Sequence, residues 1–553
     1  MGAIAAVAVA VKSARQSKHF SLVLFRFRWT FTRAGLTIDW MTTPSYAGSS
    51  GSDSASSFRV WPKDRAQVEK DIVEGRPFRV LESERGRYDA MLDFLLESGL
   101  WEAATQTRPS GLKKDNGVAF QCLNGLECLR EMAGVPEVAN CDPLLQDAYL
   151  LERIGFTAEK VERSLAQDRT IIDPETLLNH LGRFTEADLE AVFLRHLGVM
   201  RQKRWLRGGV YAVDGHDIMI PYGKGYEKAT RIAEGSYGYK LLVLLNVQED
   251  CELVVGDVLG GLHESEITML RRRLARLNQT VGPLREWLQI LLMDRGYWGT
   301  DLFCELKQDY GIDFVSRVRD EKLAINESIQ RQREEQDRSW SGFQEERQFA
   351  GRRETQRVRT TALAPITLIG DEAPHRAIAV NVVVAEQAHA DGTPILDRHG
   401  KDISTTKYVT SLRPGLHGIK VRGFYRSRWG VENQGFRYLS QTWEIDRLAG
   451  HSDGAVLARL VFVFMIYNAS HLYQQRSRHR PDYAEELRRR RRYGAGLGLA
   501  GATNIVLSES GCCCAISTRD LLRLQKQRIQ RGLRRELEAG RSLQEALETL
   551  DTG

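Results

Sequence analysis

A change of hydrophobic pattern near residue 208 constrains the fold of this chain more than any other feature. Before it, residues 58–205 carry apolar side chains at helical spacing. After it come short apolar runs rich in β-forming residues, at 209–214, 239–247 and 252–259. Helices and strands then alternate, over 264–277, 287–293, 300–310 and 313–318. This order predicts an α/β layer with a mixed sheet, in which three antiparallel strands precede a helix–strand–helix–strand unit.

A second change occurs at about residue 320. Residues 321–359 are highly charged, and strand-like runs separated by Gly and Asp turns follow them, at 364–369, 376–385 and 407–412. Pro365 limits the first of these runs to an edge strand, because proline cannot donate to a ladder. Two long helices are predicted next, over 419–441 and 456–474. Residues 320–417 are therefore interpreted as a β-rich insertion.

With 553 residues, the chain is too long for one compact domain. Residues 45–57 are rich in Ser and Gly and are typical of a flexible linker. We predict a flexible or misassigned extension over 1–57, a helical domain over 58–207, the first part of the α/β core over 208–319, the insertion over 320–417, the second part of the core over 418–476, and a basic tail over 477–553.

The charge of the chain is concentrated in that tail. The whole chain has 78 basic and 72 acidic side chains and a net charge of +6. Residues 476–553 contain 16 of the basic and 10 of the acidic side chains, which accounts for the entire excess. Net charge therefore does not by itself establish a nucleic-acid-binding protein. A run of five arginines (488–492) and a basic amphipathic helix predicted over 518–550 are suited to DNA phosphates, with a solvated or oligomerising helix as the alternative.

Composition also bears on the compartment. No stretch reaches the roughly 20 apolar residues of a spanning helix, and the run 456–466, with Arg459 in its middle, predicts a buried helix. The apolar residues 3–11 lack a preceding basic region, so a signal peptide is not expected. None of the eight cysteines has CxxC spacing, which argues against a zinc site. We expect a cytoplasmic protein with reduced thiols and no membrane partner.

Two aspartates follow strand-like runs. Asp214 ends the first run after residue 208, and Asp294 ends the fourth. Side chains at the ends of strands in open α/β sheets face the crevice where ligands bind. Two carboxylates from neighbouring strands suit a hard divalent cation such as Mg²⁺. The chain has many acidic residues, so a purely structural role stays open for each, and His216 and Asp217 are interpreted as turn or supporting residues.

A third group lies on the predicted helix 419–441. Tyr425, Arg428 and Glu432 fall at i, i+3 and i+7 and share one face two turns long. A surface ion pair between Arg428 and Glu432 is the simplest explanation. The same helix carries several large apolar side chains, so much of it is expected to pack against the protein. A partly buried glutamate beside an arginine is a stronger site candidate than an exposed pair.

Together these elements resemble the bacterial DDE insertion-sequence transposases, specifically the insertion-sequence-four group. The resemblance rests on the order of Asp214 and Asp294, the β-rich insertion, and the pattern Tyr425-x2-Arg428-x3-Glu432. The resemblance extends over residues 145–473, and segments 141–156, 294–297 and 313–317 are also similar. It implies an α/β fold with an RNase H-like catalytic core interrupted by a β-rich insertion, a helical N-terminal domain and a basic helical tail.

The resemblance further implies that Asp214, Asp294 and Glu432 are the catalytic residues and bind two Mg²⁺ ions, with Mn²⁺ as a possible replacement. Two metal ions can activate an attacking oxygen and stabilise a leaving oxygen in phosphoryl transfer. The implied activity is cleavage at the ends of an insertion sequence and strand transfer into target DNA. The implied partners are terminal inverted repeats, target DNA and a second copy of the chain in a synaptic complex, in the bacterial cytoplasm and on the nucleoid. The helical N-terminal domain would bind the DNA ends.

By the family pattern, Tyr425 and Arg428 contact DNA, since an arginine fork binds phosphate oxygens in pairs. Trp298 and Trp429 could stack on a base, with core packing as the alternative.

The family pattern also expects a lysine seven residues after the glutamate, where this chain has Leu439. Arg437 or Arg447 could supply a cation instead, although neither matches the position. A catalytically inactive DNA-binding remnant and an RNase H-like nuclease without strand transfer therefore remain alternatives to an active transposase.

Overall fold

The structure is a computed structural model with two units, Met1–Ser56 and Ser57–Gly553. It describes residues 28–32, 35–39, 64–83, 89–113, 118–145, 147–156, 172–220, 226–231, 236–247, 253–318, 324–335, 340–349, 352–396, 399–400, 402–415, 418–430, 435–448, 450, 452–476 and 503–546. In the first unit, strands β1 (Arg28–Thr32) and β2 (Gly35–Asp39) form an antiparallel hairpin. The predicted linker over 45–57 lies outside the described residues. The proposed domain boundaries stay predictions.

The second unit begins with a mainly helical region, as predicted. Its elements are α1 (Arg65–Glu74), β3 (Phe78–Ser83), α2 (Asp89–Ser98), α3 (Leu100–Thr105), α4 (Phe120–Met132), α5 (Asp142–Leu145), α6 (Ala148–Arg153), α7 (Pro174–Leu181) and α8 (Glu186–Gln202). The start of α8 is set by a capping box in which Thr185 and Asp188 bind each other's backbone N–H groups.

The next part of the chain builds the centre of an 11-stranded mixed sheet. Its strands are β4 (Gly209–Ile220), β5 (Thr230–Arg231), β6 (Tyr237–Asn246), β7 (Val254–Gly261), β8 (Leu288–Leu292) and β9 (Asp313–Arg317). Helix α9 (Glu266–Thr280) connects β7 to β8, and α10 (Thr300–Cys304) lies between β8 and β9. β4, β6 and β7 pair antiparallel, whereas β8 pairs in parallel with both β4 and β9. The predicted mixed sheet is confirmed.

The first core strand is longer than predicted. It does not end at Asp214 but continues to Ile220, because its second half still pairs with β6, as far as Ile220 opposite Tyr237. Asp214 therefore lies in the middle of β4. Asp294 is placed as predicted, just past the end of β8.

The helix predicted over 300–310 is also different. It is α-helical only to Cys304 and continues as a π-helical turn, Glu305–Asp309. Its N-cap residue is Gly299, so no side chain caps its N-terminus. The Asp301 carboxylate instead accepts hydrogen bonds from the backbone N–H groups of Glu372 at 2.9 Å and Ala373 at 3.3 Å. It thereby ties α10 to the insertion.

The insertion extends the same sheet. Its elements are α11 (Ala324–Glu335), β10 (Ser341–Phe349), β11 (Arg352–Ala362), β12 (Ile366–Ile369), β13 (Ala377–His389) and β14 (Thr405–Thr410). β14 pairs with β9, and β13, β11 and β10 follow outward. Among the described strands, β12 pairs with β13 alone, which agrees with the edge position predicted from Pro365.

Strands β10 and β11 and helix α11 lie in the segment that the sequence marked only as charged. One face of β11 is in solvent, so exposed Arg357 and Arg359 flank Val358, which is 2% exposed. Such a strand has too few apolar residues for its alternation to be recognised. The strands are identified only by their partners in the sheet.

Three helices complete the core: α12 (Ile419–Gly430), α13 (Arg437–Thr442) and α14 (Asp453–Arg476). The single helix predicted over 419–441 is therefore described as two helices, with 431–434 outside the described residues. By length and hydropathy α14 could span a membrane, but 94% of its most apolar window is buried inside the protein. The buried helix predicted there is confirmed. Its Arg459 donates to the carbonyl of Glu444 at 2.8 Å and lies 3.3 Å from the Glu131 carboxylate.

The C-terminal region has its own small core, shared with the beginning of the second unit. β15 (Thr503–Ser508) pairs antiparallel with β16 (Cys513–Ser517) and with β3, and α15 (Thr518–Glu538) packs with α1 on these strands. Seven buried side chains form this core: Val68, Ile72, Val506, Cys514, Ile516, Leu521 and Leu524. The basic tail, which the resemblance implies is helical, is helical only in part: residues 503–517 contain a β-hairpin, and the helix predicted over 518–550 ends at Glu538.

Candidate active site

Two neighbouring parallel strands bring the predicted aspartates together. β4 and β8 pair so that Ala212 is opposite Leu292. Two residues further along each strand are Asp214 and Asp294. Because side chains alternate between the faces of a strand, both aspartates lie on the same face and side by side.

Asp214 and Asp294 begin a row of side chains on this face of the sheet, and the row continues across the next two strands. β8 and β9 pair so that Leu292 is opposite Val315, which puts Arg317 next to Asp294 in the row. On β14, Tyr408 lies directly opposite Arg317. Arg317 was not singled out from the sequence. What identifies it is its position, two residues past Val315, the partner of Leu292. That position becomes apparent only when the strand register is known.

The backbone at Asp294 is held on both sides. Its side-chain Oδ1 accepts a hydrogen bond from the N–H of Gly296 at 2.5 Å and begins the 3-10 turn Arg295–Tyr297. The hydroxyl of Ser316 donates to the Asp294 carbonyl at 3.0 Å. These contacts fix the exit of β8 relative to β9, so the carboxylate has a defined position at the edge of the core sheet.

Helix α12 lies over this row. Nη1 of Arg428 is 3.6 Å from Oδ2 of Asp214, with the two side chains 6% and 18% exposed. The ring of Tyr425 packs on that of Tyr408 with centroids 5.1 Å apart, and the Arg428 guanidinium lies 5.5 Å from the centre of the Tyr425 ring. Tyr425 and Arg428 therefore share a face, as predicted from their spacing, and that face is turned toward the aspartates.

The ionisation of Tyr425 reflects this environment. Burial raises the pKa of the Tyr425 phenol above its ordinary value. The positive charges of Arg428 and Arg317 act in the opposite direction, and the carboxylate of Asp294 acts in the same direction as burial. At neutral pH the phenol is protonated, so it can donate a hydrogen bond to an anionic ligand.

His216 supports the same region from β4. Its Nε2 lies 2.7 Å from Oδ1 of Asp446, and its ring stacks on Phe436 with centroids 5.0 Å apart. Burial acts to raise the pKa of Asp446, but hydrogen bonds from His216 and Ser440 outweigh it and lower that pKa. The pair ties the segment after α13 to the strand that carries Asp214. His216 is thus a supporting residue and not part of a turn.

Other predicted site residues are not brought into contact with the aspartates. Trp298 is half-buried and packs edge-on against Phe303, with centroids 5.4 Å apart. Trp429 is 57% exposed on α12. Arg437 is exposed on α13, where it donates to Gln441 at 3.4 Å. Their roles in DNA binding stay predictions.

The position of the expected lysine is a core position in this chain. Leu439 is 1% exposed and belongs to the main hydrophobic cluster. Arg447 lies 3.1 Å from Glu137 and 3.4 Å from Glu444, so it is held in ion pairs of its own. Neither Arg437 nor Arg447 occupies the row of site residues.

The third predicted carboxylate, Glu432, lies outside the described residues. In the part of the chain that the structure describes, no group of three or more His, Cys, Asp or Glu side chains is arranged to hold a metal ion. Asp214 and Asp294 provide the oxygen donors that Mg²⁺ prefers. The described site is therefore a pair of carboxylates flanked by two arginines and a tyrosine.

Comparisons with known proteins agree with the chemistry of this site. Residues 205–469 match the transposase DDE domain family, which is just under half of the chain. The match supports a DDE-type DNA transposase, and enzymes of this type generally use divalent metal ions. Comparison with curated proteins found no match. The chain is similar at 11% identity to a solved structure of the piggyBac transposase in a synaptic complex with hairpin DNA, covering 76% of this chain and 85% of that one. The TM-score is 0.35, which is too low to indicate a shared fold.

Proposed function

We propose that this chain is a bacterial transposase of the insertion-sequence-four group, which cuts DNA at the ends of its element and joins them to target DNA. The observation that carries the proposal is the placement of Asp214 and Asp294 on adjacent parallel strands beneath Arg428 and Tyr425. Carboxylates alone would fit many metal sites. The nearby guanidinium and phenol add donors suited to a phosphate.

The proposed core is RNase H-like. Its support is the order β9-β8-β4-β6-β7, with three antiparallel strands followed by two parallel ones. The insertion interrupts this core between β9 and α12 and lengthens the sheet on the β9 side. In this arrangement α12 lies over the carboxyl end of β8. A DNA strand would meet the aspartates at this end of the strand.

In the proposed mechanism, Asp214, Asp294 and Glu432 would hold two divalent metal ions, Mg²⁺ or Mn²⁺. Such ions supply Lewis-acid activation of water, or of a 3′-hydroxyl, and of the phosphate. Arg428 contributes a positive charge beside Asp214, and its fork can bind phosphate oxygens in pairs. The protonated Tyr425 hydroxyl donates to the same phosphate. The burial of α12 restricts both side chains before DNA binds, which reduces the entropy lost on binding.

The other proposed features follow from the resemblance. Trp298, Trp429 and Arg437 would contact DNA, and residues 58–207 would bind the terminal inverted repeats. Two copies of the chain would hold the two ends in a synaptic complex. The reaction would take place in the bacterial cytoplasm, on the nucleoid.

The deciding experiment uses purified full-length protein, Mg²⁺, target plasmid and linear DNA that carries the genomic sequences flanking this coding region, where the terminal repeats would lie. The expected result is joining of the DNA ends to the plasmid. Asp294→Asn should lower this activity at least 100-fold. Asp217→Asn is the matched control, because Asp217 is 55% exposed and lies 3.1 Å from Lys240, on the other face of β4.

Two results would contradict this function and favour one of its alternatives. Binding of the DNA without any nicking would indicate an inactive remnant. Nicking without joining would indicate a nuclease that lacks strand transfer.

A further inference from the structure

We infer that Arg317 of β9 binds the phosphate that is cut, and so supplies from the sheet the cation that the resemblance expects at the position of Leu439. The inference rests on the proposed function and names one further residue for it. Leu439 is a core residue, so a cation has to come from another element. Arg317 stands in the row of site residues.

The strand register determines the neighbours of Arg317 in the sheet. Arg317 lies beside Asp294 on the neighbouring parallel strand and directly opposite Tyr408 on β14. The ring of Tyr408 is packed against Tyr425. Arg317 is therefore bordered on one side by a predicted metal-binding carboxylate and on the other by Tyr408, which lies beneath Tyr425 of α12.

The other arginines named near this row already have a partner or a role. Arg422 and Arg426 both bind Glu345, and Arg428, beside Asp214, already has a phosphate-binding role in the proposed mechanism. The side chain of Arg317 is half-buried and forms no ion pair or hydrogen bond with any residue that the structure describes. Its guanidinium is thus available to a ligand.

The chemistry of a partly buried guanidinium favours an anionic ligand. A partly buried guanidinium loses hydrogen bonds to water, and without an anion nothing replaces them. A bound phosphate would replace them. The planar fork of arginine matches two phosphate oxygens. Nearby carboxylates would repel a phosphate, so a fixed positive charge beside Asp294 favours binding of a strand there. Burial raises the pKa of both Tyr425 and Tyr408, while Arg317 lowers it, which agrees with a position close to both rings.

The test compares Arg317→Ala, Arg317→Lys and wild type, with Arg285→Ala as control. Arg285 is exposed and precedes β8, at the opposite end of that strand from Asp294. The probe is duplex DNA carrying the flanking sequences. One measurement is the nicking rate in Mg²⁺ at saturating DNA. The other is the salt dependence of DNA affinity without metal, by fluorescence anisotropy.

We expect Arg317→Ala to lower the nicking rate at least 10-fold and to reduce the slope of log affinity against log salt by about 0.9, the value for one lost phosphate contact. Arg317→Lys keeps the positive charge, so the salt slope should stay that of wild type. Its nicking rate should lie between those of wild type and Arg317→Ala. The control should match wild type in both. Thermal melting checks that each variant folds, and Arg317→Gln replaces the alanine variant if that one does not.

The outcomes distinguish a failure of the proposed function from a failure of the role of Arg317. If wild type neither binds nor nicks the DNA, the proposed function fails and this inference fails with it. If wild type nicks and Arg317→Ala equals it in rate and slope, only the role of Arg317 is overturned. A loss of rate with an unchanged slope contradicts phosphate binding, and a changed slope with an unchanged rate contradicts a position at the cut phosphate.

Discussion

Glu345 of the insertion binds Arg422 of helix α12, with Nη1 donating to Oε2 at 2.7 Å. The other oxygen of the same carboxylate lies 2.5 Å from Nη1 of Arg426. Arg422 is only 4% exposed, and its guanidinium also lies 5.6 Å from the centre of the Phe343 ring. One carboxylate of β10 therefore anchors the helix that places Tyr425 and Arg428 over the sheet.

Glu345→Ala is expected to destabilise the protein, because it leaves the buried Arg422 without its carboxylate. Removing one partner of a buried pair typically costs about 3–5 kcal/mol. The measurement is the midpoint of thermal unfolding. Glu346→Ala is the control, since Glu346 is the next residue and is exposed. Equal midpoints for the two variants would show that the pair does not hold α12.

Ile516→Ala should loosen the small core that the C-terminal region shares with the beginning of the second unit. Ile516 is fully buried in its core, and such a truncation costs about 2–5 kcal/mol. Since β15 pairs with both β16 and β3, amide hydrogen exchange in β3 should accelerate by about 30-fold or more, the factor equivalent to about 2 kcal/mol. Ile529→Ala, on the exposed part of α15, is the matched control. Unchanged exchange in β3 would contradict the shared core.

The basic face of α15 is expected to contribute to DNA affinity in a salt-dependent way. Arg531, Arg534 and Arg535 are exposed. Their joint replacement by glutamine should reduce the slope of log affinity against log salt by up to about 2.7, or about 0.9 per phosphate contact. Replacement of all three by lysine should keep the slope. Deletion of residues 477–553 is a poorer test, because it also removes the strand that pairs with β3. A slope that glutamine leaves unchanged would exclude α15 as a phosphate-binding helix.

Buried histidines should make the protein less stable in mild acid. Burial lowers the pKa of His196 to about 3, and neither ring nitrogen has a hydrogen-bond partner among the described residues. The unfolded chain takes up a proton below about pH 6.5, whereas the folded chain does not. The stability that this residue contributes is thus full above pH 6.5 and falls as the pH decreases toward 3, by about 1.4 kcal/mol per pH unit.

His180 and His471, whose pKa values burial lowers to about 4, act in the same direction. In His196→Leu, the decrease in melting temperature between pH 7 and pH 5 should be smaller than in wild type. An identical decrease would show that His196 is not the group that takes up the proton.

Local patterns were sufficient to predict much of the core. Apolar runs identified β4, β6, β7 and β8, because strands covered on both faces have apolar residues along most of their length. Helical spacing placed Tyr425 and Arg428 on one face, since residues three apart are neighbours on a helix. Asp294 was located because the apolar run before it stops there. The transposase resemblance added the expected roles of these residues.

The sequence by itself thus determined which segments are buried and which side chains share a face of one element. Only the tertiary structure decided which elements are neighbours. It placed Arg317 beside Asp294, gave the charged strands β10 and β11 their partners, and paired β15 with β3 across more than 400 residues. The physical reason is that periodicity reports the burial of a residue within its own helix or strand. Register and pairing arise from contacts between segments that are distant in the chain, and no local pattern records them.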